Sequence, residues 1–262
     1  MSAPIIETQP WHSADWAEYL LDWERAQFGR SVADRFGYHA LQLGLPQLDT
    51  LMANRMPHRW CAADAWTDGV DLVCDDTALP FPAQSLDLVA LPHTLERSSD
   101  PQLCLREVER VLVPEGRALI CGFHPWSLWG LRQRRSLWLA RRGWGQVFLP
   151  QAGECIGYWR LRDWLRLLGF EVEEVVFGAY RPALRSSAWL QRFAWVDRAS
   201  RRGWPLPGAL VFVVAVKRVA GMRLLSPPWK RFGRTRAATV SVAGRAGSTG
   251  VPGSWRNGGS QP

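Results

Sequence analysis

Residues 70–120 constrain this 262-residue chain most tightly, because that short stretch spells out a complete strand, helix, strand unit. Leu86, Leu88, Val89, Ala90 and Leu91 make an almost unbroken apolar run with a single acid, Asp87, near its start. Such a run suits a strand buried on both faces, as in a parallel sheet. Ser99-Asp100-Pro101 then reads as a helix start, since an Asp carboxylate accepts from the free amide hydrogens of the first turn and Pro fits the first helical position. Leu105, Val108, Val111 and Leu112 recur at helical spacing, with Arg106, Glu107, Glu109 and Arg110 mostly opposite, which predicts a helix to about residue 112. Pro114-Glu115-Gly116 breaks it in a turn, and 117–122 reads as the next buried strand. Strand, helix and strand of these lengths form a crossover, so the two strands should be parallel neighbours.

The order of these features carries a resemblance. Asp75, Leu79-Pro80-Phe81, the strand opening Leu86-Asp87, His93-Thr94-Leu95-Glu96, Asp100-Pro101, and Arg110-Val111-Leu112 running into Pro114, Gly116 and Arg117 follow one another at matching spacings. This succession resembles the central half of the class I S-adenosylmethionine-dependent methyltransferases, in particular the small-molecule type 11 group. The resemblance is tight over 70–120 and loose over 38–218. It implies an α/β, Rossmann-like fold whose sheet is mostly parallel and closes with an antiparallel C-terminal strand pair. It also implies S-adenosyl-L-methionine as methyl donor and a small molecule, not identified by the sequence, as acceptor.

The donor side of such a fold begins at a first strand, here 38–44, and a glycine-rich loop with the pattern acid, x, G, x, G, x, G. A helix then follows whose free amide hydrogens face the ligand. Only Gly44 keeps the pattern, while Gln42 replaces the acid and Pro46 and Leu48 replace the later glycines. Gln can hydrogen-bond but offers a cationic sulfonium no charge. Asp64 ends the second strand, 58–63, about twenty residues after Gly44, where dinucleotide-type folds grip ribose hydroxyls. The resemblance gives Asp75, with its neighbour Asp76, to the adenine amino group. Read alone, Asp64 is equally a loop or cap residue and the acid pair a solvated loop. His93 and His124 follow the fourth and fifth strands and face the acceptor on the family's template, His93 as a candidate general base; its other reading is a structural histidine bonded to backbone. No metal site is expected. Only 65–69 separate strand 58–63 from 70–74, too few for a crossover helix, so this pair is either a hairpin-like edge or one member is not a strand.

The flanks complete the layout. A lead, 1–37, should hold a helix over 14–28 capped by Ser13, with Trp16, Tyr19, Leu20 and Trp23 in one stripe, either covering the sheet or forming a lid. A helix over 157–168, closed by Gly169, and strands at 170–177 and 209–216 end the domain, 38–218. From Lys217 onward there are nine Lys or Arg and no acid, so residues 1–216 sum to −1 and the basic character sits at the C-terminal end, chiefly in the tail, 219–262, whose composition cannot fold alone. Such a tail suits nonspecific polyanion contact, with no sequence-specific nucleic-acid reading. Five cysteines without a C-x-x-C pair point to reduced thiols and a cytoplasmic location. No stretch reaches the roughly 18 apolar residues of a membrane span. Residues 122–135 interleave Trp and Arg, which suits an aromatic, lipid-like or anionic acceptor, a membrane-surface patch, RNA backbone, or a partly buried amphipathic helix. The rival to an enzyme is therefore a catalytically inactive methyltransferase-like binding module that works through this Trp/Arg surface and the basic tail on RNA or anionic membrane.

Overall fold

The computed structural model describes residues 17–144, 155–183, 191–193, 195–197 and 208–218, which holds true of every structural statement below. The chain divides into two compact units, Met1–Ala220 and Gly221–Pro262, and all described residues lie in the first. Its elements are α1 (Glu18–Ala33), β1 (His39–Leu43), β2 (His58–Ala63), β3 (Leu72–Val73), β4 (Leu86–Pro92), α2 (Thr94–Arg97), α3 (Pro101–Val111), β5 (Leu112–Phe123), α4 (Leu128–Ala140), α5 (Tyr158–Leu167), β6 (Phe170–Gly178) and β7 (Leu210–Lys217).

The crossover read from residues 86–122 forms as expected. Asp100 caps α3 by accepting from the amides of Gln102 and Leu103, both at 3.0 Å, and Pro101 opens the helix. β4 and β5 run parallel, with Val89 beside Ala118 and Leu91 beside Ile120. Asp87, the lone acid of the run, accepts from the amides of Tyr38 at 2.8 Å and His39 at 2.9 Å, which fastens the start of β4 to the start of β1. β5 begins five residues earlier than the turn at Pro114 predicts, at Leu112. The turn survives as an irregularity in register opposite Leu86 to Leu88, with Glu115 at φ 65.

Seven strands form one sheet in the order β3-β2-β1-β4-β5-β7-β6. Five are parallel, and β7 and β6 add the antiparallel pair at the C-terminal edge. Every residue of β7 is buried because both faces are covered. Leu210, Phe212 and Val214 pack with α1 and with Trp129 of α4; Val211, Val213 and Ala215 pack with α3 and α5. α1 seats Leu20, Leu21, Phe28 and Val32 on the first face, with the Phe28 ring edge-on to Phe212 at 5.0 Å and Trp23 lying over Gly178, where a Cβ would collide with its indole. It starts later than expected, at Ala17 without a side-chain cap, and the proposed cap Ser13 and Trp16 lie outside the described residues.

The hairpin reading of residues 58–74 is corrected. β2 and β3 are parallel, with Ala62 beside Leu72 and Ala63 beside Val73. The general length requirement for a crossover does not bind here, because β3 is only two residues long and joins β2 at its end. Asp71 holds the returning loop flat on β2: its carboxylate accepts from the Cys61 amide and its own amide donates to the Cys61 carbonyl, both at 2.8 Å. None of the five cysteines is in a disulfide, and burial pushes the Cys61 thiol up to about 11. No helix among the described residues is long and apolar enough to cross a membrane.

Candidate active site

In an open parallel sheet, a crevice forms outside the carboxyl ends of the strands where the strand order reverses. Here that point lies between β1 and β4. A cleft of about 400 Å³ opens there, within the range of small-ligand sites, and is lined from the ends of four strands. β1 supplies Leu43 and Gly44, β2 supplies Ala63 and Asp64, the end of β3 supplies Cys74, Asp75 and Asp76, and the segment after β4 supplies Thr94, Arg97 and Ser98.

Four of the residues expected on the donor side, Gly44, Asp64, Asp75 and Asp76, therefore meet in one cleft. Gly44 sits at φ 77, a conformation that favours glycine, and Leu45 follows at φ 45. The Asp64 side chain is 77% exposed and paired with Arg97 at 3.3 Å, so it is free to exchange that partner for a ligand. Asp75 accepts from the Thr77 amide at 2.8 Å and hydroxyl at 2.7 Å, and these bonds lower its pKa. Asp76 behaves oppositely: partial burial, with Asp75 beside it, raises its pKa. Thr94 donates to the Leu43 carbonyl and so ties the β4 end to the β1 end across the cleft floor.

Gln42 does not line this cleft. It is buried, and its amide nitrogen donates to the carbonyls of Gly44 (3.1 Å), Leu45 (3.0 Å) and Leu48 (2.8 Å), while its oxygen accepts from the amide and hydroxyl of Thr50 at 2.9 and 2.7 Å. The loop is wound around this side chain. That is why the helix expected after Gly44 does not form and residues 46–53 are turns instead. Leu48 is buried in the core and Pro46 faces a separate hollow with Asp49, Arg59 and Asp71, so neither narrows the cleft.

The reading of His93 as a general base is also corrected. His93, at φ 54, turns its ring inward and away from the cleft. Nδ1 meets Glu96 and Nε2 meets Glu24 of α1, both at 2.8 Å, and all three side chains are buried. Burial opposes the charge on His93, but the two carboxylates outweigh it and push its pKa up to about 10. The ring is thus a buried imidazolium at neutral pH and is no general base. Glu96 also accepts from the Phe123 amide. His124, at the end of β5, is half-buried, stands edge-on to Phe177 at 5.6 Å and accepts at Nδ1 from the Trp126 amide at 3.3 Å. Burial lowers its pKa, and it is not part of the cleft lining.

Thr94, which the family resemblance places with Pro92, His93 and Glu96 after the fourth strand on the acceptor side, does line the cleft, whereas Arg97 and Ser98 were missed, although their place just after a strand ending in the switch region was a usable signal. Glu24 was missed too. It stands four residues after Leu20 on the buried stripe of α1, and an acid at such a position calls for a partner.

Comparison with known proteins agrees with this geometry. A family described as a methyltransferase domain matches residues 51–120. The Escherichia coli K12 protein YafS is 30% identical over 169 residues, which span 64% of this chain and 67% of YafS. The chain belongs to the class I, type 11 methyltransferases. Solved structures share the fold at low identity. A chain in the complex of the Haloferax volcanii Trm112 methyltransferase activator with a methyltransferase superposes with a TM-score of 0.55, 18% identity, and coverage of 75% of this chain and 90% of that one. A methyltransferase from Thermotoga maritima gives 0.52 and 16%, over 76% and 93%. Nothing in these matches supports the inactive binding module.

Proposed function

We propose that the cleft at the β1–β4 switch point binds S-adenosyl-L-methionine and that the protein transfers its methyl group to a small-molecule acceptor. The observation that carries this reading is the convergence of Gly44 with three carboxylates, Asp64, Asp75 and Asp76, against the single cation Arg97. The residues fit such a ligand. A net negative wall suits a sulfonium, and Gly44 presents backbone without a side chain. Asp64 would accept from ribose hydroxyls after releasing Arg97, and Asp75, held ionised by Thr77, would accept from the adenine amino group. Bound there, the donor supplies an electrophilic methyl carbon for in-line displacement, and the protein's part is to align it with the nucleophile and exclude water. Gln42 acts one step removed, by shaping the loop that carries Gly44. On the acceptor side we keep His124. It is neutral near pH 7, and with Nδ1 accepting from Trp126 it would present Nε2–H to an acceptor oxygen or nitrogen.

Calorimetric titration with S-adenosylhomocysteine and S-adenosylmethionine tests this. The expected result is saturable binding that weakens by roughly 10- to 100-fold in Asp75→Asn, the loss of a hydrogen bond to a charged group. A folded protein that takes up neither ligand at millimolar concentration would refute the reading.

A further inference from the structure

α4 is apolar on two opposite sides. Its inner side is accounted for: Trp129 is buried against the sheet, Gly130 is buried against the backbone of His124 and Pro125, and Ser127 caps the helix by accepting from the Gly130 amide at 3.0 Å. The outer side carries Leu128, Leu131, Arg135 and Trp138, spaced by three, four and three residues, so that they form one exposed stripe, which exposed Arg142 extends in the turn just past the helix end. Leu128 is 42%, Leu131 44% and Trp138 52% exposed, and Trp126 just before the helix is 63% exposed. An outer face that buried nothing would have no reason to be this apolar.

The charges on the face all have one sign. Residues 124–144 contain Arg132, Arg134, Arg135, Arg141 and Arg142 and no acid. Two of them lie over the exposed indoles, Arg142 at 3.6 Å from the Trp138 ring centre and Arg134 at 5.3 Å from that of Trp126. Arginine stems along an apolar stripe with guanidinium groups beside indole rings match what a bilayer interface offers: acyl chains below, phosphate above, and a headgroup zone in which Trp is favoured. RNA would use the arginines and stack on the indoles, but it gives Leu128 and Leu131 nothing to bury against.

We propose that the outer face of α4 is a docking surface for an anionic phospholipid bilayer. The helix follows β5, on the same carboxyl edge of the sheet as the cleft, so docking would bring that edge toward the lipid surface. Docking is independent of methyl transfer, and either can fail without the other.

The test is flotation of the full chain with vesicles of phosphatidylcholine alone and of phosphatidylcholine mixed with phosphatidylglycerol. The two variants are Leu131→Ser with Trp138→Ser, and Arg134→Glu with Arg135→Glu. All these side chains are exposed, and circular dichroism with thermal unfolding checks that the variants stay folded. We expect flotation only with the anionic vesicles, and a fall in the apparent partition coefficient of about tenfold or more in each variant. Binding that persists unchanged in both variants would overturn the proposal and transfer the contact to the basic tail. Binding lost only on charge reversal, with Leu131 and Trp138 making no difference, would reduce it to nonspecific polyanion contact and overturn it equally. So would failure to bind either vesicle.

Discussion

His93→Asn is expected to cost about 3–5 kcal/mol of folding stability, the cost of breaking a buried ion pair by removing one partner. Asn tolerates the left-handed conformation that residue 93 adopts, so the substitution removes the charge with little backbone strain. What remains is Glu24 and Glu96, two buried carboxylates that had faced one imidazolium. One oxygen of Glu24 already has no hydrogen-bond partner, which makes the loss harder to absorb. Adding Glu24→Gln should restore part of the stability, and chemical denaturation of the two singles and the double would give the coupling. The same triad predicts a pH dependence. The pKa of His93 rises from about 6.5 in the unfolded chain to about 10 in the fold. The folded state therefore binds the proton more tightly. The stabilisation is complete below about pH 6.5 and is lost as pH rises toward 10, by a few kcal/mol in all. The neighbouring Cys121 thiol stays protonated through this window because burial pushes its pKa well up. Unfolding midpoints measured across the window should slope downward in the natural protein, and that slope should flatten in His93→Asn. A flat profile in both would show that the triad does not hold the charge assigned to it.

The sequence made the crossover legible because period and caps were local: Asp100-Pro101 states a helix start, and Leu88 to Leu91 states a strand buried on both faces. Both features act within a few residues of themselves, and the structure keeps them. Asp64 could be placed for a related reason, since the end of a parallel strand is a position that topology brings to the crevice, whereas Asp75 and Asp76 were placed only by the family resemblance of the residues around them. His93 occupies such a position too, yet its ring turns inward. The deciding fact is Glu24, sixty-nine residues earlier on a helix whose docking no local pattern specifies. Gln42 misled in the same manner. As a one-letter departure from acid to amide it read as a weakened ligand contact, whereas five hydrogen bonds to its own loop explain it without a ligand. The edge at β2 and β3 shows a rule applied outside its range, because Asp71 lets eight residues return a two-residue strand to parallel pairing.

Gln42→Glu separates the family pattern from the structure of this chain. By the pattern, an acid at this position should improve the site for a sulfonium. By the geometry it should damage the site, because a carboxylate cannot donate to the carbonyls of Gly44, Leu45 and Leu48 and would instead set a buried negative charge against their oxygens. Two effects add: three acceptors lose their donor, and the charge has only the Thr50 amide and hydroxyl to satisfy it. A loss of about 3 kcal/mol or more is expected, at the upper end for single substitutions. Because Gly44 and Leu45 hold left-handed conformations that this network supports, the loop should loosen before the sheet does. Hydrogen exchange should therefore rise first at residues 44–51, with β4 and β5 still protected, and affinity for S-adenosylhomocysteine should fall. Tighter binding in Gln42→Glu, with the loop still protected, would mean that the loop is held by its packing of Leu45 and Leu48 in the core and that Gln42 is dispensable to it.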